Sequence, residues 1–136
     1  MTAYEPAWFG LPVALDESLV AIEPDALDGL RYVRAVVLKP TLLGGISRTL
    51  RIAKRALSLG MTPVVSSAYE SGVGAAALVA LAAGIGDRTV PAGLDTYRRL
   101  NADVLVSPLD LSAPSVRVRE AADASRRVDI LRLKAP

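Results

Sequence analysis

The chain contains neither cysteine nor histidine. The first absence excludes a disulfide framework, a thiolate nucleophile and a thiolate metal site. The second removes the Ser-His-Asp and Cys-His mechanisms together with imidazole zinc sites. Carboxylate, lysine, arginine, hydroxyl and backbone groups remain for chemistry, and such donors suit a hard, oxygen-liganded cation such as magnesium. Aromatic residues make up only 4% of the chain, and no basic run is interleaved with them, so no nucleic-acid partner is expected. Long apolar stretches are also scarce. The longest, Val73 to Ile85, is rich in Gly and Ala and too short to span a bilayer. No charged segment followed by an apolar one opens the chain, so the expected location is cytoplasmic, with no membrane partner.

At 136 residues, 51% apolar and 22% charged, the sequence has the balance of one globular domain. Its 16 basic and 14 acidic residues are scattered. Lysine is rare among the basic residues: only Lys39, Lys54 and Lys134 occur, the rest being arginine. Lys39 ends the run Ala35-Val36-Val37-Leu38, and Pro40 follows it. The run has the character of a parallel strand buried on both faces, and Pro40 forbids further ladder pairing, which puts Lys39 at the strand's carboxyl edge. An ammonium whose pKa burial can move is the group that proton transfer needs, and guanidinium is a poor substitute. A lysine at a strand end can equally snorkel to water.

Leu11 to Leu15 is a strand candidate ending in Asp16-Glu17-Ser18, after an irregular lead-in from Met1 to Gly10. Glu23-Pro24-Asp25 opens a brief helix with Ala26, Leu27 and Leu30 on its apolar side. After Gly44-Gly45, Ile46 to Leu59 forms the clearest helix. There Ile46, Leu50, Ala53 and Leu57 predict the buried face, and Arg48, Arg51, Lys54 and Arg55 the solvated one. Thr62 to Val65 is a third strand, ending in Ser66-Ser67 and followed by Glu70, which reads as a solvated or helix-starting carboxylate. Gly72 to Ala83, made of small residues, predicts a closely packed helix. Thr89 to Leu94 predicts a fourth strand leading into Asp95-Thr96, and Tyr97 to Leu105 a helix. Beyond it lie a proline-bearing loop and a polar, weakly periodic tail. The alternation of strands and helices argues for βαβ units in a parallel α/β sheet, with polar residues after each strand converging on the carboxyl edge, where such folds bind ligands.

The segments LDES at Leu15 to Ser18, VVLKPTLLGG at Val36 to Gly45, VVSSAYESGVG at Val64 to Gly74 and GLDT at Gly93 to Thr96 occur in a telling order and spacing. Together they resemble the carboxyl-terminal part of the o-succinylbenzoate synthase family, in the muconate-lactonising branch of the enolase superfamily. The likeness runs from about Leu11 to Thr96. It implies that residues 1–136 are part of a modified (β/α)₇β barrel, a TIM-barrel variant with an enolase C-terminal domain-like fold, contributing strands five to eight. Residues 97–136 are then a C-terminal extension. It also implies a magnesium-dependent dehydration through an enediolate, in menaquinone synthesis, or a related acylamino-acid racemisation. Asp16 falls on the family's third metal-binding carboxylate, and Lys39 on its strand-six lysine. Ser66 and Ser67 match the strand end that holds the substrate's succinyl side, with Thr41 and Gly44 in the loop beside it.

That chemistry suits these residue types. Removing a proton α to a carboxylate builds a dianionic enediolate, which a divalent cation and nearby ammonium groups stabilise. The family's Lys-x-Lys pair, its two other metal-binding carboxylates on strands three and four, and its capping domain have no counterpart in the sequence. The chain alone is therefore expected to be inactive and to need an N-terminal half as partner, or to self-associate through exposed sheet edges as a non-catalytic half barrel. Its small-molecule ligand is expected to be a carboxylate. Read without the resemblance, Asp16 is a candidate helix N-cap, and Ser66 and Ser67 are ordinary loop-start hydroxyls. An open flavodoxin-like sheet binding a small anion has no specific motif here.

Overall fold

A computed structural model describes residues 11–85 and 90–133. The lead-in at Met1 to Gly10, Gly86 and Thr89 lie outside the described residues. Three parallel strands form a sheet in the order β1 (Val13–Leu15), β2 (Val33–Leu38), β3 (Thr62–Val65). Among the described residues four α-helices accompany them: α1 (Pro40–Leu43), α2 (Ile46–Ser58), α3 (Gly72–Ile85) and α4 (Val118–Ser125). Short 3₁₀ helices occupy Glu17–Ala21, Pro24–Gly29, Asp95–Arg99 and Ile130–Leu133. The architecture is that of a partial α/β barrel.

The two faces of the sheet differ. Val33, Val36 and Leu38 of β2 are buried in one apolar cluster with Leu19, Leu27, Leu43, Ile52, Ala53, Ala56 and Met61. Ala35 and Val37, which point the other way, are only partly covered, so the expectation of a strand buried on both faces does not hold. The register pairs Ala14 with Ala35, Ala35 with Thr62, and Val37 with Val64, which puts all five on one face, and none of them is buried. The helix α2 covers only the opposite, Val36–Leu38 face.

Helix α2 forms where its pattern predicts, but it is turned about its axis. Thr49, Ile52, Ala53 and Ala56 face the core, while Ile46, Leu50 and Leu57 are 49%, 46% and 50% exposed. The arginines set this rotation. Arg48 donates to the carbonyls of Val20 and Ile22, and Arg55 pairs with Asp28, so their side of the helix lies against the 3₁₀ segments rather than in open solvent. Small Ala53 and Ala56 let the helix axis approach the sheet. The buried Thr49 hydroxyl is satisfied by the Gly45 carbonyl one turn back.

Among the described residues, the expected fourth strand is reduced to a single parallel bridge between Ser66 and Gly93. There the Gly93 amide donates to Val65 and its carbonyl accepts the Ser67 amide. A proline at position 91, which has no amide to donate, stands where the ladder would continue. The helix expected from Tyr97 to Leu105 is likewise limited to the 3₁₀ turn Asp95–Arg99, because Leu105 leaves to pair antiparallel with Val128 and is fully buried. Helix α4 packs on α3 through Ala76, Val79 and Ala121.

Candidate functional site

The carboxyl edge of the sheet gathers the polar strand ends. Alternation along β1 and β2 puts Asp16 and Lys39 on the uncovered face, and they meet there: Lys39 Nζ lies 2.7 Å from Asp16 Oδ1 and 3.0 Å from Glu17 Oε1. The lysine side chain is 17% exposed and the Asp16 side chain 38%. Asp16 stands at the N-cap position of the first 3₁₀ turn but makes no capping hydrogen bond with its side chain. Its buried Oδ1 has the ammonium for an ion-pair partner but no well-aligned hydrogen bond. The helix-cap reading of Asp16 therefore does not describe its side chain.

Charge follows geometry. The Asp16 carboxylate, then that of Glu17, pushes the Lys39 pKa above the ordinary lysine value against a smaller opposing effect of burial. Lys39 bonding, then its own backbone amide, pulls Glu17 below the ordinary carboxylate value. Held this way, Lys39 is an ammonium at neutral pH, suited to stabilising an anion rather than to taking a proton.

The remaining candidates sit on the turns after β2 and β3. The Thr41 hydroxyl, in α1, donates to Glu70 Oε1 at 2.7 Å. Gly44 ends α1 in the left-handed region at φ 87°, where a side chain is disfavoured, and its amide closes the turn on Pro40. Ser66 and Ser67 both donate to the Gly93 carbonyl, and Ser67 Oγ is 2.6 Å from Thr96 Oγ1. Thr96 also accepts the Tyr69 amide. Asp95 pairs locally with Arg98. The structure thus brings Asp16 to Lys39 and Ser67 to Thr96, while Thr41 turns toward Glu70. Glu17, Glu70 and Thr96 received no site role from sequence. Glu17 and Thr96 were visible as members of polar strand ends. Nothing in the local pattern of Glu70 marks a partner 29 residues away.

Among the described residues no three carboxylates come together in a group that could hold a metal ion. Asp16 and Glu17 are adjacent, and both are engaged by Lys39. This donor set is too small to hold magnesium against its hydration shell. A cavity of about 480 Å³ lies between α3, Pro91 to Asp95 and Leu111 to Val118, and none of Asp16, Lys39, Ser66 or Ser67 lines it. No helix among the described residues is long and apolar enough to cross a membrane.

Comparison with known proteins places this geometry in context. The family described as enolase C-terminal domain-like matches residues 3–122. An o-succinylbenzoate synthase of Escherichia coli O7:K1 is 46% identical over 88 residues, covering 64% of this chain and 27% of its own. The o-succinylbenzoate synthase of Thermobifida fusca is 43% identical over 100 residues, covering 73% of this chain and 31% of its own. The solved Probable Mandelate Racemase of Alicyclobacillus acidocaldarius superposes with a TM-score of 0.70 at 31% identity, over 90% of this chain and 33% of that one. The chain thus spans under a third of the length of these two curated relatives.

Proposed function

The chain belongs to the enolase C-terminal domain-like family, and on that premise we propose that it is the C-terminal part of an o-succinylbenzoate synthase-like lyase. The reaction is a dehydration: a proton leaves the carbon α to a carboxylate, and the neighbouring hydroxyl departs, the two together making water. One observation carries the reading. A lysine ammonium, fixed by Asp16 at 2.7 Å, stands on the uncovered face of the sheet at the edge where the hydroxyl-bearing end of β3 also lies.

In this reading Lys39 faces the substrate carboxylate and stabilises the negative charge that develops on it in the enediolate. Thr41, Gly44, Ser66 and Ser67 border the substrate. Asp16, here paired with Lys39, would supply one magnesium ligand only when joined by further carboxylates. The other ligands, and the base that takes the α-proton, belong to strands supplied by an N-terminal half, so no step is assigned to the metal here. The outer edge of β1, paired only with β2 in the described sheet, supports the joining of further strands. Residues 97–136 extend the barrel part, and the setting is menaquinone synthesis in the cytoplasm.

A racemase-type reaction, which the resemblance extends to an acylated amino acid, is the second reading; the likeness to the Probable Mandelate Racemase of Alicyclobacillus supports its racemase part. Lys39 would then give a proton to the opposite face of the same kind of enediolate. The test mixes this chain with a polypeptide carrying the preceding strands of the Thermobifida relative and supplies magnesium and the hydroxylated precursor. Formation of aromatic o-succinylbenzoate is expected, with Lys39→Ala lowering it at least about 100-fold. Activity unchanged by that substitution would remove the lysine from the mechanism.

A further inference from the structure

Among the described residues, Glu70 links the turn after β2 to the turn after β3 through hydrogen bonds to both of its carboxylate oxygens. Oε1 accepts the Thr41 hydroxyl at 2.7 Å, and Oε2 accepts the Ala68 amide at 2.6 Å. Thr41 lies two residues beyond Lys39, and Ala68 is the residue after Ser66-Ser67. One carboxylate therefore holds the lysine-bearing strand end against the serine-bearing one.

Two further features show that this loop is built around the contact. Tyr69, between Ala68 and Glu70, is the one described non-glycine residue in the left-handed region, at φ 66°. Such a backbone persists where its surroundings over-determine it. Here the Tyr69 amide is held by Thr96, and Glu70 is held by Thr41 and Ala68. Gly74, in the first turn of α3, leaves room for the folded-back side chain, since a Cβ there would stand 2.7 Å from Glu70 Cβ. The loop is thus pinned on both flanks.

We propose that Glu70 is a positioning residue, acting through Thr41 and Ala68 to set the spacing between the Lys39 ammonium and the Ser66–Ser67 turn. This rests on the lyase reading for the identity of what is positioned, but not for the clamp itself. An acid–amide or acid–hydroxyl bond to an ionised acceptor is stronger than a neutral one, and two of them on one rigid loop restrict both turns together. Misplacement of a reacting group by about 1 Å costs on the order of 100-fold in rate, so loosening the clamp is expected to show in turnover.

The test has two arms. In the first, amide hydrogen exchange is read by NMR on the full chain for Thr41→Val, Thr41→Ser, Glu70→Ala and Glu70→Gln. Thr41→Val should speed exchange of the Ala68 and Glu70 amides by about tenfold, Thr41→Ser should restore protection, and Glu70→Ala should exceed Thr41→Val. Glu70→Gln, with a single acceptor oxygen, should fall between wild type and Glu70→Ala. Changes confined to residues 40–43 in Thr41→Val would overturn the clamp. In the second arm, the same variants are assayed in the mixture that shows Lys39-dependent turnover. There kcat should fall about 10- to 100-fold in Glu70→Ala and less in Glu70→Gln, with KM changing less than kcat, while Thr41→Ser should keep the wild-type value. An unchanged kcat with accelerated exchange would overturn the positioning role. If no Lys39-dependent turnover arises at all, the lyase reading fails, and the exchange arm still decides whether the clamp exists.

Discussion

The half of the chain before Ser66 and the half after it are held together by different means. In the first, strands, α2 and two 3₁₀ segments share one apolar cluster that includes Leu19, Leu27, Val36, Leu38 and Ile52, all fully buried. In the second, the apolar clusters are small: Val65, Leu78 and Leu81 in one, Ala76, Val79 and Ala121 in another. A polar node takes up the difference. Asp103 accepts the Gly72 amide at 2.8 Å, the Val104 amide at 2.8 Å and the Tyr97 hydroxyl at 2.6 Å, and Tyr97 in turn accepts the Leu109 amide. One carboxylate thus fastens the segment after Gly93 to the N-terminus of α3, where negative charge is favoured. The comparison teaches that burial organises the sheet half and that a few charged hydrogen bonds organise the other.

The largest expected effect is on the apolar side. Leu38→Ala removes a fully buried side chain from the larger cluster and should cost about 2–5 kcal/mol in the urea-unfolding free energy. Next comes the polar node. Asp103→Ala strands the Gly72 amide and the Tyr97 hydroxyl and should cost about 2–3 kcal/mol, with hydrogen exchange rising first in α3 and α4 rather than in β2. Equal acceleration in both halves would erase the distinction drawn here. Gly72→Ala should act on the same node, because a Cβ would overlap the Asp103 carboxylate and the Leu105 side chain, at about 1–3 kcal/mol.

The node also has a pH signature. Burial would raise the Asp103 pKa, but the Tyr97 hydroxyl and the amides of Gly72, Val104 and Leu105 together bring it below the ordinary carboxylate value. A depressed folded-state pKa contributes stability that is complete above the unfolded value and is lost as pH falls through the folded one. Asp103→Asn should therefore flatten that acid limb in a circular-dichroism titration, leaving stability near neutrality lower but less dependent on acid. The smallest effect belongs to the exposed flank of α2. Leu50→Gln should change stability by no more than about 0.5 kcal/mol, since Leu50 is half exposed, whereas Ile52→Gln should unfold the sheet half.

Much of the sheet half was legible because its signals are local. The apolar run closed by Lys39 and Pro40 named a strand and its end, and the position of Lys39 at the edge followed. The rotation of α2 was not legible. Ile46, Leu50, Ala53 and Leu57 form a valid helical stripe, and choosing between it and Thr49, Ile52, Ala53 and Ala56 depends on where Arg48 and Arg55 find partners 26 and 27 residues earlier. The fourth strand was overestimated because the segment's composition does not reveal that, among the described residues, only Gly93 pairs with the Ser66 edge. At the site, Asp16 and Lys39 could be read as strand ends, but the links from Glu70 to Thr41 and from Ser67 to Thr96 join residues that no spacing rule connects. The Asp103 node escaped for the same reason: its partner Gly72 is 31 residues away.

The backbone around Lys39 is fixed on both sides. Leu38 offers its carbonyl to the Ser66 amide, the Lys39 carbonyl takes the amides of Leu42 and Leu43, and the proline ring at position 40 locks the next φ. A ligand that reaches this edge of the sheet meets an anchor whose main chain is already held and whose ammonium is already tethered by Asp16 and Glu17, so little further ordering of the lysine is left to do. A pre-set root of this kind favours rapid, repeatable seating of the amine over adaptability, and a substrate that does not match its reach gains nothing from it.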